Sequence, residues 1–234
     1  MSKKEGGIIF YHSNLSGATK KIYDYLFDEI VSNRLVPGSA ISELEISKKL
    51  QTSRSPVREA MMVLESEGMV RRYPGRGCFV EEVTVQDINE IFGLRTLLET
   101  EALRKSFDLL APQELDALEQ ELTALTPDSP ADAYYETDRH LHELIVNNCG
   151  NVRLMLILRT LNGQIEQFRR VASRQPKRLR ASRQEHLDIV AALQAHDLEQ
   201  GCSLLTEHIK NVKAATLSVC LLVGLKETRR NRQT

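Results

Sequence analysis

The 234-residue sequence has no tryptophan, no cysteines in a C-x-x-C arrangement and no apolar run long enough to cross a bilayer. The last absence argues against a transmembrane helix, which needs about 20 apolar residues. The four cysteines, Cys78, Cys149, Cys202 and Cys220, are scattered, so we expect free thiols in a reducing compartment. The first residues include two lysines but no hydrophobic segment of a signal peptide, which favours a cytoplasmic protein.

The chain as a whole also has no large excess of one charge, because its formal net charge is −1. Any surface that binds nucleic acid must therefore be local. Between Lys48 and Gly77 the sequence has seven basic and three acidic residues, an excess of four positive charges. The chain is longer than a common single domain, so we expect two domains.

The N-terminal part has the pattern of three short helices followed by two strands. The predicted elements are helices over 19–34, 43–50 and 54–67 and strands over 69–73 and 78–82. Ser42 and Glu45 fit a capping box at the start of the second helix, and Ser53 can cap the third. This order predicts a winged helix-turn-helix domain over 18–82, preceded by a flexible arm over 1–17.

The third predicted helix begins with two arginines, Arg54 and Arg58, four residues apart and therefore on one face. The second helix of a helix-turn-helix pair enters the major groove of DNA. We therefore expect Arg54 and Arg58 to face DNA, where either could bind a guanine edge in a bidentate manner. Phosphate contacts are expected from four further basic residues, Lys48, Lys49, Arg71 and Arg72.

Strand signals almost disappear after Thr84, and long amphipathic segments replace them. Six helices are predicted, over 85–109, 112–125, 130–147, 152–171, 177–195 and 197–220. The fold class is therefore mainly α: a winged helix-turn-helix followed by an all-α bundle of six or seven helices over 83–222. Residues 223–234 form a polar, basic tail that we expect to be frayed.

Four polar side chains lie on bundle stripes that are otherwise apolar: Asp138, His142, His186 and His208. Burying such a group without a partner costs several kcal/mol, and one divalent metal ion would satisfy all four. Asp138 and His142 are spaced to chelate from one helix face. Three histidines and one carboxylate suit zinc best, with nickel or manganese as alternatives. The alternative for any single histidine is a hydrogen-bonded core residue without metal.

Arg95 also lies on an apolar stripe, in the first helix of the bundle. Two interpretations are open. It forms a structural ion pair with Glu99 one turn later, or it holds a carboxylate ligand beside the metal.

Several segments resemble a known family. SRSPVREA at 53–60, preceded by PGSAISELEISKKL and followed by LESEGMVRRYPGRGCFV, resembles the N-terminal domain of GntR-type bacterial transcription regulators. The segments LRTLLETEA, DRHLH and EHLDIVAAL resemble the FCD-type ligand-binding domain of that family, FadR/VanR-like, and six bundle helices resemble its VanR-like group. The likeness covers about 19–220.

The resemblance implies roles for individual residues. Arg54, Ser55 and Arg58 would contact the operator, as would the wing residues Gly75, Arg76 and Gly77. Asp138, His142, His186 and His208 would bind the metal, with Arg95 near the effector. In one departure from the family pattern, Leu44 stands where some members carry a further DNA-contacting arginine.

The expected function is that of a metabolite-responsive transcriptional regulator and not an enzyme. A homodimer would bind a palindromic DNA operator, and a small organic acid at the metal site would alter DNA binding. One alternative is a metal-dependent hydrolase of the HD type, since His196-Asp197 is such a dipeptide, although no later aspartate follows it. Another is a regulator that senses the metal itself.

Overall fold

A computed structural model describes residues 15–173 and 175–230 of the chain. Within these ranges the protein has nine α-helices, one short 3-10 helix and three β-strands, so the predicted mainly α fold class is confirmed. Almost all of the arm expected over 1–17 lies outside the described residues.

The N-terminal elements follow the predicted order, with one additional strand. They are α1 (Gly17–Val31), β1 (Ala40–Ile41), α2 (Glu43–Lys49), α3 (Arg54–Ser66), β2 (Val70–Tyr73) and β3 (Gly77–Val80). The strands form an antiparallel sheet in the order β1-β3-β2. The sequence prediction of a two-stranded wing missed β1, because two residues are too few to show an alternating pattern.

Helix α3 is held in place by its apolar side. Val57, Ala60, Met61 and Leu64 recur at helical spacing and are fully buried, and α3 packs on α1. The helix is followed by Gly68, whose φ of +68° is a left-handed conformation that glycine adopts without strain. This packing leaves the opposite side of α3 at the surface.

The caps of α2 and α3 only partly match the expectation. The hydroxyl of Ser42 accepts a hydrogen bond from the backbone N–H of Glu45 at 3.3 Å, as expected, but the reciprocal bond from the Ser42 backbone to the Glu45 side chain does not form, so the capping box is incomplete. Ser53 occupies the N-cap position of α3, but its side chain makes no capping hydrogen bond there, so this expectation was wrong.

The remaining six helices form the bundle, and their number agrees with the prediction for the part of the chain that is described. They are α4 (Val85–Ser106), α5 (Pro112–Ala124), α6 (Ala131–Asn147), α7 (Val152–Ser173), α8 (Pro176–Gln194) and α9 (Leu198–Arg230). Phe107–Leu109 form the 3-10 helix after α4. Helix α9 runs about ten residues beyond its predicted end, through residues assigned to a frayed tail. Residues 231–234 lie outside the description.

Packing within the bundle brings α4, α6, α8 and α9 together: α9 packs on α4 and α8, and α6 packs on the same two helices. By contacts the chain divides into two compact units. One contains the chain up to Val83 with Leu156–Gln167, and the other contains Thr84–Met155 and the chain from Phe168 onward. Among the described helices, none is long and apolar enough to span a membrane.

Candidate metal centre and DNA-binding surface

Four buried side chains from three helices converge in the bundle. Asp138 and His142 lie one turn apart on α6, His186 comes from α8 and His208 from α9. All four are buried, and one potential ligand atom from each lies within 4.8 Å of every other. The structure therefore brings together the four residues that the sequence singled out as metal ligands.

The spacing of these atoms suits a metal ion. Nε2 of His208 lies 3.3 Å from Nε2 of His142 and 3.2 Å from Nε2 of His186, and Oδ1 of Asp138 lies 3.2 Å from Nε2 of His186. Zinc–nitrogen bonds of about 2.0–2.1 Å in a tetrahedral site would separate the ligand atoms by about 3.3 Å. The donor set and its spacing therefore fit a divalent ion such as zinc.

Two glutamates orient two of the histidines. Nδ1 of His142 donates to Oε2 of Glu99 at 2.5 Å, and Nδ1 of His208 donates to Oε2 of Glu185 at 2.8 Å. Because a carboxylate can only accept, each Nδ1 carries the proton and each Nε2 keeps its lone pair. A hydrogen bond from a carboxylate to the far nitrogen is the usual support of a metal-binding histidine.

The sequence analysis did not assign this supporting role to either glutamate. Glu99 was considered only as a partner of Arg95, and Glu185 was not considered although it directly precedes His186. A glutamate next to an inward-facing residue, or one turn from it, is a weak sign of a supporting role, because glutamate is also common at exposed helix positions. Only the packing of α4 on α6, and of α8 on α9, identifies these carboxylates.

The protonation of the histidines also suits metal binding. Burial lowers the pKa of His142 to about 4 and that of His208 to about 3, so both are neutral near pH 7. Burial alone would raise the pKa of Glu99, but Arg95 and His142 outweigh it and hold the pKa below its usual value. For Asp138 the opposing influences are burial and Arg169, and the pKa again ends well below its usual value.

Arg95 is fully buried and joins this network from the side. Its Nε donates to Oε1 of Glu99 at 2.7 Å, and its Nη2 lies 3.0 Å from Nε2 of His142. It is absent from the residues that line the adjacent cavity. This geometry favours the structural ion pair over the effector contact, and an effector role for Arg95 stays a prediction.

A cavity that is partly open to solvent lies beside the cluster. Asp138 and His186 form part of its wall, so two of the four candidate ligands face it. The rest of the wall comes from α6, α7, α8 and α9: Tyr134, Tyr135, Thr137, Arg169, Ala172, Arg178, Leu179, Ser182, Arg183 and Val212. The cavity provides room for a small molecule next to the metal position.

The histidine-aspartate pair of the hydrolase alternative lies elsewhere. His196 and Asp197 occupy the exposed turn between α8 and α9, where Oδ1 of Asp197 accepts a hydrogen bond from the N–H of Gln200 at 3.0 Å. Neither belongs to the metal cluster found among the described residues. His196 and Asp197 therefore form the turn that precedes α9.

The residues predicted to contact DNA all lie at the surface of the winged helix domain. They are Lys48, Lys49, Arg54, Ser55, Arg58, Arg71, Arg72, Gly75, Arg76 and Gly77. Glycine suits the wing turn because Gly75 and Gly77 have φ of +73° and +104°. The surface thus offers a helix face and a hairpin with an excess of basic residues.

Arg58 and Arg72 share one carboxylate. Nη2 of Arg58 lies 3.1 Å from Oε2 of Glu43, and Nη1 of Arg72 lies 3.3 Å from Oε1 of the same residue. The hydrogen bond from Arg58 lowers the pKa of Glu43. The sequence analysis did not identify Glu43, which connects α2 with α3 and with β2.

Comparison with known protein families assigns both parts of the chain. The family described as bacterial regulatory proteins, gntR family, matches residues 18–80, and the FCD domain matches residues 90–211. The transcriptional repressor RspR of Escherichia coli is 24% identical over 203 residues, which cover 86% of this chain and 89% of RspR.

Two solved structures share the fold. E. coli McbR/YncC has a TM-score of 0.71 at 22% identity, over 87% of this chain and 98% of that one. The Zn2+-bound FCD domain of the regulator TM0439 has a TM-score of 0.53 at 23% identity, over 58% of this chain and 96% of that one. The names of these relatives support a regulator and not an enzyme.

Proposed function

The chain belongs to the GntR family of bacterial regulatory proteins and carries an FCD domain, and from this we propose that it is a metabolite-responsive regulator that binds operator DNA as a homodimer. Its winged helix domain binds the operator through α3 and the wing. A small carboxylate at the metal centre of the bundle changes the affinity for that operator. Cytoplasmic location stays a prediction.

The DNA-binding half of the proposal rests on the exposed side of α3. Arg54, Ser55 and Arg58 are exposed on a helix whose opposite side is fully buried, so these side chains are available to bases. Arginine binds a guanine edge with two parallel hydrogen bonds, which gives sequence preference. Lys48 and Lys49, exposed on α2, suit phosphate contacts that position the helix.

The regulatory half rests on one observation: the cavity wall includes the proposed metal ligands Asp138 and His186. A divalent ion held by Asp138, His142, His186 and His208 would supply a Lewis-acidic position for a carboxylate oxygen. Zinc is the proposed ion, because three histidines and a carboxylate suit it and the related FCD domain of TM0439 binds Zn2+. Because a cavity adjoins the metal position, we favour regulation by a metabolite over regulation by the metal ion alone.

For the homodimer we propose a surface on α4. Leu94 and Leu97 lie one turn apart and are exposed, Leu97 to 70%, and a Cβ added at the neighbouring Gly93 would meet nothing within 4 Å. Adjacent exposed leucines beside a glycine allow a second helix to approach closely. Leu97→Glu should yield a monomer in light scattering, whereas Leu109→Glu, at another exposed leucine, should leave a dimer.

A binding titration tests the function as a whole. The full chain loaded with zinc is titrated against fluorescent DNA from upstream of its own gene and against the same bases in scrambled order. We expect the upstream DNA to bind at least about 1000-fold more tightly, the usual lower limit for specific over non-specific binding. Equal affinities for the two DNAs would contradict the proposal.

A further inference from the structure

The three carboxylates around the metal cluster already have cationic partners. Three carboxylates face three guanidinium groups, in the pairs Arg95–Glu99, Arg169–Asp138 and Arg178–Glu185. Histidines that bind a metal are neutral. A divalent ion would therefore add two positive charges that these described pairs do not balance, at a position whose proposed ligands Asp138 and His186 face the cavity. The centre thus favours a ligand that carries two negative charges.

Cationic groups are distributed along the cavity and not only at the metal end. Arg169 marks the metal end, with Nε 3.1 Å from Oδ2 of Asp138. Arg178 lies in the wall, in the first turn of α8. Arg183 lies five residues further along α8, and its Nε donates a hydrogen bond to the carbonyl of Leu122 at 2.7 Å. One carboxylate at the metal would leave the more distant cations without a partner from the ligand.

Arg178 has a donor left for a ligand. Nη1 and Nη2 both donate to the carboxylate of Glu185, Nη1 at 2.8 Å. Its Nε is buried and has no hydrogen-bond partner among the described residues, and the side chain lines the cavity. A buried donor without a partner is unfavourable, so an oxygen placed there by a ligand would be stabilised. Arginine suits a carboxylate because two of its N–H groups match the two oxygens.

We propose that the cavity binds a dicarboxylate, with one carboxylate at the metal beside Asp138 and His186 and the second at Arg178. This deepens the proposed function, on which it rests, by naming the class of effector. Ala172, Leu179 and Val212 supply apolar surface to the same wall, which suits a short carbon chain between two carboxylates. Monocarboxylates and inorganic phosphate carry no second carboxylate for Arg178.

Binding of simple acids to the zinc-loaded full chain tests the proposal. Isothermal titration is performed with acetate and butyrate as monoanions, with malonate, succinate and glutarate as dianions, and with inorganic phosphate. We expect at least one dicarboxylate to bind ten-fold or more tightly than every monocarboxylate and than phosphate. The proposal is overturned if a monocarboxylate or phosphate equals the best dicarboxylate, or if no acid binds.

Variants then test the assigned residue. Arg178→Met should reduce the preference for the dicarboxylate over the monocarboxylate by at least ten-fold, while monocarboxylate binding and zinc content stay unchanged. An unchanged preference in a correctly folded, zinc-loaded Arg178→Met variant would exclude the role. If Arg178→Met loses zinc or folds poorly because Glu185 has lost its partner, Arg178→Lys decides instead. It keeps the charge but lacks the second donor of the guanidinium group, so the preference should fall at least three-fold, and a wild-type preference in that variant would exclude the role.

The same samples separate this inference from the proposed function. If the dicarboxylate preference is absent while upstream DNA is still bound specifically and zinc is retained, the class of effector is wrong and the regulator remains. If specific DNA binding is absent, the proposed function fails whatever the acids do. Isothermal titrations provide the preference among the acids, and anisotropy titrations of the same protein samples, with and without the best-binding acid, provide the result for DNA.

Discussion

The arginines on the predicted DNA-binding surface of the winged helix domain are exposed, whereas three arginines around the metal cluster of the bundle are largely buried against carboxylates: Arg95, Arg169 and Arg178. Arg54 and Arg58 are exposed on α3, and Arg58 is paired with Glu43, whose side chain keeps 16% of its accessibility. Arg95 and Glu99 form an equivalent arginine–glutamate pair, with side-chain exposures of 0% and 4%. One type of pair thus occurs in two environments of one chain.

The difference in exposure determines what each arginine–glutamate pair can do. A pair in contact with water is worth little to stability and separates easily, so Arg58 can exchange its carboxylate for a DNA base. A buried pair cannot separate without leaving a desolvated charge, so Arg95 and Glu99 form a fixed frame behind His142. Exchangeable charges suit recognition of DNA, and fixed charges suit the support of a metal.

Mutation of the buried pair Arg95–Glu99 should have a larger effect on stability than mutation of the exposed pair Arg58–Glu43. Glu99→Gln leaves Arg95 without its counter-charge and weakens the acceptor for Nδ1–H of His142. We expect the free energy of unfolding to fall by about 3–5 kcal/mol. Affinity for zinc should fall about 10–100-fold. Urea unfolding and competition with a zinc chelator measure these two quantities.

Replacing both partners of the buried pair is the control for Glu99→Gln. Arg95→Met with Glu99→Leu removes both charges and leaves neither unpaired, so stability should recover relative to Glu99→Gln while zinc affinity stays low. If Glu99→Gln is as stable as the wild type, the Arg95–Glu99 pair does not support His142 as proposed.

Removal of a proposed metal ligand is expected to have the second largest effect. His186→Ala removes Nε2, which lies 3.2 Å from both Oδ1 of Asp138 and Nε2 of His208. Affinity for zinc should fall by at least the roughly 100-fold that is the upper figure for a supporting residue. Competition with a zinc chelator measures the loss of affinity, and elemental analysis after metal-replete growth measures the bound zinc. His140→Ala is the control, since His140 is exposed and pairs with Glu121 at 2.8 Å. Equal zinc in the two variants would contradict the site.

The sequence predicted the four converging residues because polar groups on apolar stripes are rare and costly. Asp138 and His142 were recognisable as a pair from their spacing alone. The supporting carboxylates were not, because Glu99 and Glu185 become buried only when α4, α6, α8 and α9 pack together. Arg178 shows the same limit, since its position at the start of α8 gave no sign that it lines a cavity.

Periodicity also explains which parts of the fold were predictable. The long bundle helices were found within a few residues because each buries a regular apolar stripe. Strand β1 has only Ala40 and Ile41 and no period to detect. Its place is set by pairing with Phe79 and Cys78 of β3, a contact between residues far apart in the sequence.

In the exposed region, Arg58→Ala should weaken binding to the upstream DNA by about 1–3 kcal/mol without changing stability. The reason is the loss of a guanidinium group that faces outward from α3. Anisotropy titrations on the operator and on scrambled DNA measure the loss and its sequence dependence. Lys48→Ala is the matched control, because a phosphate contact should weaken both DNAs alike and lower the salt slope by about one. An Arg58→Ala effect that is equal on both DNAs would assign Arg58 to the phosphates.

The smallest effect is expected at Glu43, the carboxylate shared by Arg58 and Arg72. Glu43→Gln removes a negative charge close to the DNA-binding surface, so binding to scrambled DNA should become slightly tighter. Arg58 also loses the partner that orients it, so the preference for the operator should fall by the equivalent of about 0.2–1 kcal/mol, the usual worth of an exposed pair. Glu45→Gln on the same helix is the control, since Glu45 has no ion pair within the described residues. An unchanged preference in Glu43→Gln would mean that Arg58 is oriented by the DNA itself, and the exposed pair would then have no part in recognition.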